Sequence, residues 1–295
     1  MTADGLIVVD KPAGMTSHDV VARIRRLAKT RRVGHGGTLD PMATGVLVIG
    51  VNKATRLLTY VIGSNKRYTA TIRLGESTIT DDAEGELTAR APVTGVTDDA
   101  VRAGLAAQTG EIDQVPSAVS AIKINGQRAY KRVREGAEVQ IPARRVTVSR
   151  LEVLDIRRPA DREVLDVDID VSCSSGTYIR AIARDLGRTL EVGGHLTALR
   201  RTAVGGLTLA ESATLDELAA RAPDVVGLPM AEAARRAFPQ RTATADETRI
   251  LSHGGPLEPV GIDGPYAVFD ATGGLLAIVS ERSGRARPDV VLAPA

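Results

Sequence analysis

Aromatic side chains are nearly missing from this chain. They make up 2% of 295 residues, with no Trp, five Tyr, and two Phe (238 and 269) that both fall near the C-terminus. The core before that point therefore has to be aliphatic. Readers of single-stranded nucleic acid that stack successive bases on rings are disfavoured by the same shortage. A lone cysteine, Cys173, excludes an internal disulfide framework and a cysteine-based zinc site. The four histidines, at 18, 35, 195 and 253, have no ligand spacing, so no metal is expected. No apolar run approaches the length of a membrane span, and the N-terminus lacks a signal-peptide pattern. The expectation is a cytoplasmic protein with no membrane contact.

Charge of one sign is also lacking overall, since the net charge is +2, but it is unevenly distributed. Residues 1–75 carry 12 Lys/Arg against 4 Asp/Glu, residues 76–115 carry 2 against 9, and residues 116–150 carry 8 against 2. Two basic blocks around an acidic one could line a cationic groove for a polyanion. The plainer alternative is a set of solvated helix faces.

What is present centres on one loop, GHGGTLDPMATG, from Gly34 to Gly45. Glycines let backbone approach a ligand closely, and Pro41 fixes the turn that presents Asp40, the single carboxylate of the loop. Taken alone, Asp-Pro in a glycine-rich stretch is most often just a turn. No Gly-Lys-Ser/Thr follows, so it is not a P-loop, and the dinucleotide spacing fails as well. Before it, LIVVD reads as a buried strand. Thr16 or Ser17 caps a helix whose apolar stripe is Val20, Val21, Ile24, Leu27 and Ala28. Arg23, Arg25, Arg26, Lys29, Arg31 and Arg32 lead from that helix toward the loop, placed to draw a phosphate toward Asp40.

After the loop, VLVIG predicts a buried strand and NKATRLLTYVI a short helix. KRYTATIRLG alternates strictly, which puts Tyr68, Ala70, Ile72 and Leu74 on one face. ESTITDDAEGE reads as a solvated acidic turn, with Asp81, Asp82 and Glu84 only a weak hint of a metal. A helix is expected from Thr97 to Gln108. The segment 114–136 combines a short strand, an Asn-Gly turn and a basic helix with Arg128, Lys131 and Arg132 around Tyr130. It reads as a flap over the groove or as an ordinary surface excursion. Two long strands follow, the second with Asp166, Asp168 and Asp170 on a wet face. SSG then turns into a helix with Arg180 in its first turn, where the helix dipole disfavours a cation. A nearby carboxylate would explain that placement, and Asp40 is a candidate. From Leu228 onward, short β runs broken by Gly and Pro suggest a small barrel-like module.

Five ordered stretches, VVDKPAGMTSHD, GHGGTLDPMATGVL, KRYTATIRLG, VPSAVSAIKINGQRAY and SCSSGTYIRAIARDLG, together closely resemble the bacterial tRNA pseudouridine synthases of the TruB type. The resemblance implies an α+β fold with a mixed, mainly antiparallel sheet of the pseudouridine synthase type. It also implies a catalytic domain over 1–228, a thumb-like insertion at about 114–145, and a PUA-like C-terminal RNA-binding module over 229–295. The implied activity is isomerisation of uridine 55 in the T loop of tRNA, on a flipped-out base. No cofactor or metal and no obligatory protein partner are implied, and a monomer is expected. Matched to the family motifs, Asp40 is the nucleophile, Tyr68 stacks on the base, and Arg180 pairs with Asp40. His35 fills the space left by flipped bases and Tyr178 lines the pocket. Lys11, with Pro12, supports the site and is counted with the substrate-binding residues. Arg128, Lys131 and Arg132 belong to the gripping thumb. Two rival readings are a guide-RNA-dependent pseudouridine synthase and an RNA-binding or tRNA-folding helper without turnover.

Overall fold

The computed structural model describes residues 2–117 and 141–295, and the backbone of two short paired strands at 123–124 and 127–128. In chain order the larger part holds strands β1 (Gly5–Lys11), β2 (Val33–His35), β3 (Thr44–Val51), β4 (Lys66–Leu74), β5 (Glu76–Thr78), β6 (Leu87–Arg90) and β7 (Gly110–Gln114). The pair β8 (Lys123–Ile124) and β9 (Gln127–Arg128) comes next, then β10 (Arg144–Arg157), β11 (Leu165–Cys173), β12 (Gly194–Val204), β13 (Leu207–Thr208) and β14 (Leu228–Pro229). Helices α1 (Ser17–Leu27), α2 (Leu58–Gly63), α3 (Asp98–Ala106), α4 (Ile179–Thr189) and α5 (Leu215–Ala220) accompany them.

One sheet organises the molecule, in the order β14-β1-β3-β12-β4-β11-β10-β7, with β2 on β3 and β13 on β12. All its pairings are antiparallel except the short contact of β12 with β3. That parallel contact matters most, because Arg201 falls opposite Gly45 on one side and opposite Tyr68 on the other. The strand that follows the Asp40 loop and the strand that carries Tyr68 are thereby fixed on either side of β12.

The local reasons are legible in the residues. Thr16 and Asp19 form a reciprocal capping box at the start of α1, whose Val20, Val21 and Ile24 are buried. In β4 the burial alternates as the period of two requires, with Tyr68, Ala70, Ile72 and Leu74 inward. The main core is aliphatic apart from Tyr68 and Cys173, built from Ile7, Leu47, Ile49, Leu165, Ile182 and their neighbours.

Two expectations need correction. Asp166 and Asp170 are buried, at 8% and 7% exposure, because arginines cover that face of the sheet. Arg73 grips Asp166 through two bonds of 2.8 Å, Arg67 grips Asp170, and Arg157 grips Asp168. Second, the C-terminal part is an open four-stranded sheet rather than a barrel. Its strands are β15 (Gln240–Thr242), β16 (Tyr266–Phe269), β17 (Leu275–Arg282) and β18 (Arg285–Val291), in that order. Helix α6 (Met230–Ala237) leads into it, and α7 (Ala245–Ser252) packs on it. Helix α7 was not anticipated from sequence, although Thr244 and Glu247 supply the spacing of a capping box. This sheet has a core of its own around Tyr266, Val268 and Val279. It rests on the larger part through Leu57, Ala234, Phe269 and Ile278, with Tyr60 edge-on to Phe238 at 4.9 Å. Among the described residues no helix is long and apolar enough to cross a membrane.

Candidate active site

The loop between β2 and β3 is fixed from three directions, and each fastening is a polar side chain taken out of water. Lys11 is fully buried, and its Nζ donates to the carbonyls of Pro12, Met15 and Pro41 at 2.9, 2.7 and 3.1 Å. Ser17 both accepts from the amide of Leu39 at 2.9 Å and donates to its carbonyl at 3.1 Å. Arg201, 1% exposed, donates from Nε to Val46 O at 2.7 Å, from Nη1 to Thr38 O at 3.2 Å and from Nη2 to Gly37 O at 3.1 Å. Buried cations are tolerated when their donors are satisfied, and here carbonyls satisfy them. Gly45 closes the loop at φ +96°, and a Cβ there would stand 2.2 Å from Arg201 O, so glycine permits the close approach to β12.

Held this way, Asp40 faces a cavity of about 260 Å³. Tyr68, Leu199 and Arg201 line it from the sheet, Ile62 from α2, and Tyr178 and Arg180 from the start of α4. Arg180 is 5% exposed, and its Nε lies 3.0 Å from Asp40 Oδ2. The pairing suggested by a cation in the first turn of a helix is therefore present. It is not a two-pronged grip on Asp40. Nη1 turns away to Asp82 Oδ2 at 3.3 Å and donates to Thr80 O at 2.9 Å, so one guanidinium serves two carboxylates.

Asp82 belongs to the acidic loop read from sequence as a solvated turn, and that reading is corrected. It is 2% exposed, and Thr80 Oγ1 and the amide of Glu84 both donate to its Oδ1, at 2.5 and 3.0 Å. Asp81 points instead to Arg184, so the loop's carboxylates do not converge as metal ligands would. Burial pushes the Asp40 carboxyl above the ordinary carboxylate range; Arg180 opposes this and Asp82 adds to it. Burial likewise pushes the Tyr68 hydroxyl up, against the pull of Arg201. Lys66, which shares a face of β4 with Tyr68, is lowered to about 8 by burial and by the charge of Arg201.

The remaining expected residues fall as follows. Tyr178 lines the cavity, and its backbone N–H and C=O are both held by the side-chain amide of Gln114, at 2.8 and 3.0 Å. His35 sits at the end of β2, edge-on to His18 with ring centroids 5.4 Å apart, outside the cavity lining. Burial lowers its pKa, so the ring is neutral at neutral pH. Lys11 is a fastening of the loop with no surface to offer a substrate, which corrects its place among the substrate contacts. Arg25, Arg26, Lys29, Arg31 and Arg32 are exposed, as a backbone-binding block requires. The side chains of Arg128, Lys131 and Arg132 lie outside the described residues.

Sequence reasoning missed Arg201, Gln114 and Lys66. Signals for two of them existed. Arg200 and Arg201 are adjacent on a strand, so they must face opposite sides, and one side of a central strand is core. Lys66 lies two residues before Tyr68, which puts it on the same face. Nothing local marks Gln114.

Three family profiles match the chain: TruB family pseudouridylate synthase (N terminal domain) over residues 25–179, tRNA pseudouridylate synthase B C-terminal domain over 180–224, and tRNA Pseudouridine synthase II, C terminal, over 238–293. A Thermobifida fusca (strain YX) protein named tRNA pseudouridine synthase B is 58% identical, covering 99% of each chain. One of the same name from Arthrobacter sp. (strain FB24) is 56% identical, covering 98% of this chain and 97% of its own. Among solved structures, an archaeal box H/ACA sRNP Nop10-Cbf5 complex aligns at a TM-score of 0.72 and 26% identity, covering 98% of this chain and 86% of that one. An H/ACA RNP bound to a substrate RNA containing 2'-deoxyuridine aligns at the same TM-score and 24% identity, covering 98% and 85%, a likeness of fold. With profiles across nearly its whole length and relatives above half identity, the chain belongs to the TruB family of pseudouridine synthases.

Proposed function

We propose that this enzyme isomerises uridine 55 in the T loop of tRNA, with Asp40 as the nucleophile acting on a flipped-out base. The observation that carries the proposal is the Asp40 carboxylate itself: held on a fastened loop, aimed by Arg180, and facing a small cavity lined by Tyr68. Pseudouridine formation breaks the glycosidic C–N bond, rotates the base and joins C5 to C1′; the C5 proton leaves and the freed N1 takes up one. Nothing is oxidised or hydrolysed, so no cofactor enters the balance. A carboxylate is suited to attack C1′ or C6, or to support a glycal route. Tyr68 stacks on the base; its raised pKa keeps the hydroxyl protonated, so a role in removing the C5 proton requires it to accept and donate in concert rather than as a phenolate.

His35 stands near the space that a flipped base leaves, and Tyr178 borders the pocket. The exposed cations of 25–32 and the thumb residues Arg128, Lys131 and Arg132 bind backbone phosphates, with folded RNA shape supplying selectivity. Residues 1–228 form the catalytic unit and 229–295 an RNA-binding module. The enzyme acts as a cytoplasmic monomer.

The test is to incubate pure protein with unmodified tRNA and map pseudouridine by mass spectrometry. Product at position 55 without any added guide RNA or protein supports the reading. Turnover that requires a guide would place the chain with the guide-dependent enzymes, and tight binding without turnover would make it a folding helper.

A further inference from the structure

We propose that Ile62, braced by Lys66 and Ser175, is a positioning residue: an apolar wedge at the cavity mouth that bears on the RNA where the target nucleotide leaves its stack. The inference rests on the reading of the site as a uridine isomerase acting on RNA.

Ile62 is 45% exposed. Exposed apolar side chains scattered singly are ordinary and need no explanation. Among the described residues, however, seven large apolar side chains are exposed, and Ile62 is the one that lines the Asp40 cavity. Its backbone is also held more tightly than surface exposure requires. The carbonyl of Ile62, in the last turn of α2, accepts from Lys66 Nζ at 2.9 Å and from Ser175 Oγ at 2.8 Å. Lys66 Nζ also donates to Ser64 O at 2.7 Å. Helix ends leave carbonyls without partners, and a cation there is favourable.

These donors come from two different walls of the cavity. Lys66 opens β4, two residues before Tyr68 and on the same face. Ser175 belongs to the turn that leads to Tyr178 and Arg180. The end of α2 is thus tied both to the strand bearing the stacking ring and to the segment bearing the arginine that aims Asp40. Backbone fixed to such a frame holds the root of the apolar side chain in place when RNA approaches. Apolar side chains pressed between base steps are a general means of opening a stack.

The experiment uses the full chain and tRNA carrying 2-aminopurine beside the target uridine, whose fluorescence rises on unstacking. Ile62→Ala and Ile62→Ser should raise KM and lower the unstacking amplitude, each by about tenfold, with a smaller change in kcat. Ile62→Leu should restore both, and Lys66→Met should reproduce part of the loss without altering the melting temperature appreciably. An Asp40→Asn background separates the two readings. There the unstacking signal should persist without turnover, and adding Ile62→Ala should remove it. Ile62→Ala with wild-type KM and wild-type unstacking would overturn the inference even if turnover is normal. A wild type that unstacks the base yet makes no pseudouridine would instead overturn the proposed function and leave the wedge standing.

Discussion

Two regions of this protein set carboxylates against arginines, and they do so on opposite terms. On the outer face of β11, each aspartate has a guanidinium directed at it. Arg73 takes both oxygens of Asp166, Arg67 reaches both oxygens of Asp170, and Asp168 receives Arg157 and the Thr71 hydroxyl. Hydrogen bonding from Arg157 holds the Asp168 carboxyl below the ordinary range. At the cavity the ratio is reversed: Arg180 is shared by Asp40 and Asp82, and Asp40 is pushed up rather than down. A fully matched carboxylate is an inert strut. One that shares its guanidinium with a second carboxylate, and whose pKa is raised, has the tuned ionisation that nucleophiles and acid–base groups require.

The comparison breaks most visibly at Asp40. Asp40→Asn should lower kcat by more than about a thousandfold while tRNA affinity stays within a few-fold, because the lost group is not a cation. Single-turnover assays with binding titrations would check this, and retained turnover would remove Asp40 from the mechanism. Arg180→Met should come next, at roughly a hundredfold or more in kcat. Its pH profile carries the sign. Arg180 lowers the Asp40 pKa, and the proposed nucleophile is the deprotonated form, so the acid limb should move to higher pH. Asp82→Asn removes a charge that raises the Asp40 pKa, so whatever activity it keeps should show an acid limb moved to lower pH. Opposite shifts for the two substitutions would establish that one network sets the ionisation of Asp40; shifts in the same direction would refute it.

Arg201 tests stability rather than chemistry. Arg201→Met removes the donors to the loop carbonyls of Gly37 and Thr38 and to the strand carbonyl of Val46, and should cost about 3 kcal/mol, read as a lower urea midpoint. An unchanged midpoint would mean that the loop relaxes to find other donors. The smallest effect belongs to the sheet face. Asp168→Asn should cost no more than about 1 kcal/mol at neutral pH and leave kcat unchanged. The folded-state pKa of Asp168 is depressed, so its contribution is present above the unfolded carboxylate pKa and lost as pH falls through the folded one. Wild type and variant should therefore converge in stability under acid.

Much of the site was legible because its chemistry was local. Asp40 stood out as the single carboxylate of a glycine-rich loop with proline behind it. Strict alternation in β4 turned Tyr68 inward, with its part in the site coming from the family resemblance, and Arg180 was marked by being a cation where a helix start disfavours one. Asp82 was misread because hydrophilic composition alone predicts solvent, and its burial depends on Arg180 arriving from a helix a hundred residues away. Lys11 was misjudged for a similar reason: an isolated lysine gives no sign that three carbonyls will surround it. The C-terminal sheet was misread as a barrel because short strands and turns specify local geometry and leave closure open.

By itself the sequence determined the alternating faces of the strands, the capped starts of α1 and α3, and the loop that presents Asp40. These depend on side-chain period, capping residues and backbone conformation within a few positions. Tertiary structure alone decided which polar groups were buried and with whom. The parallel contact of β12 with β3 put Arg201 under the loop, and the packing of α4 set Arg180 between two carboxylates. Burial is a property of the assembled sheet, and desolvation acts only once distant segments have excluded water; that is why the charge state of Asp40 could not be read along the chain.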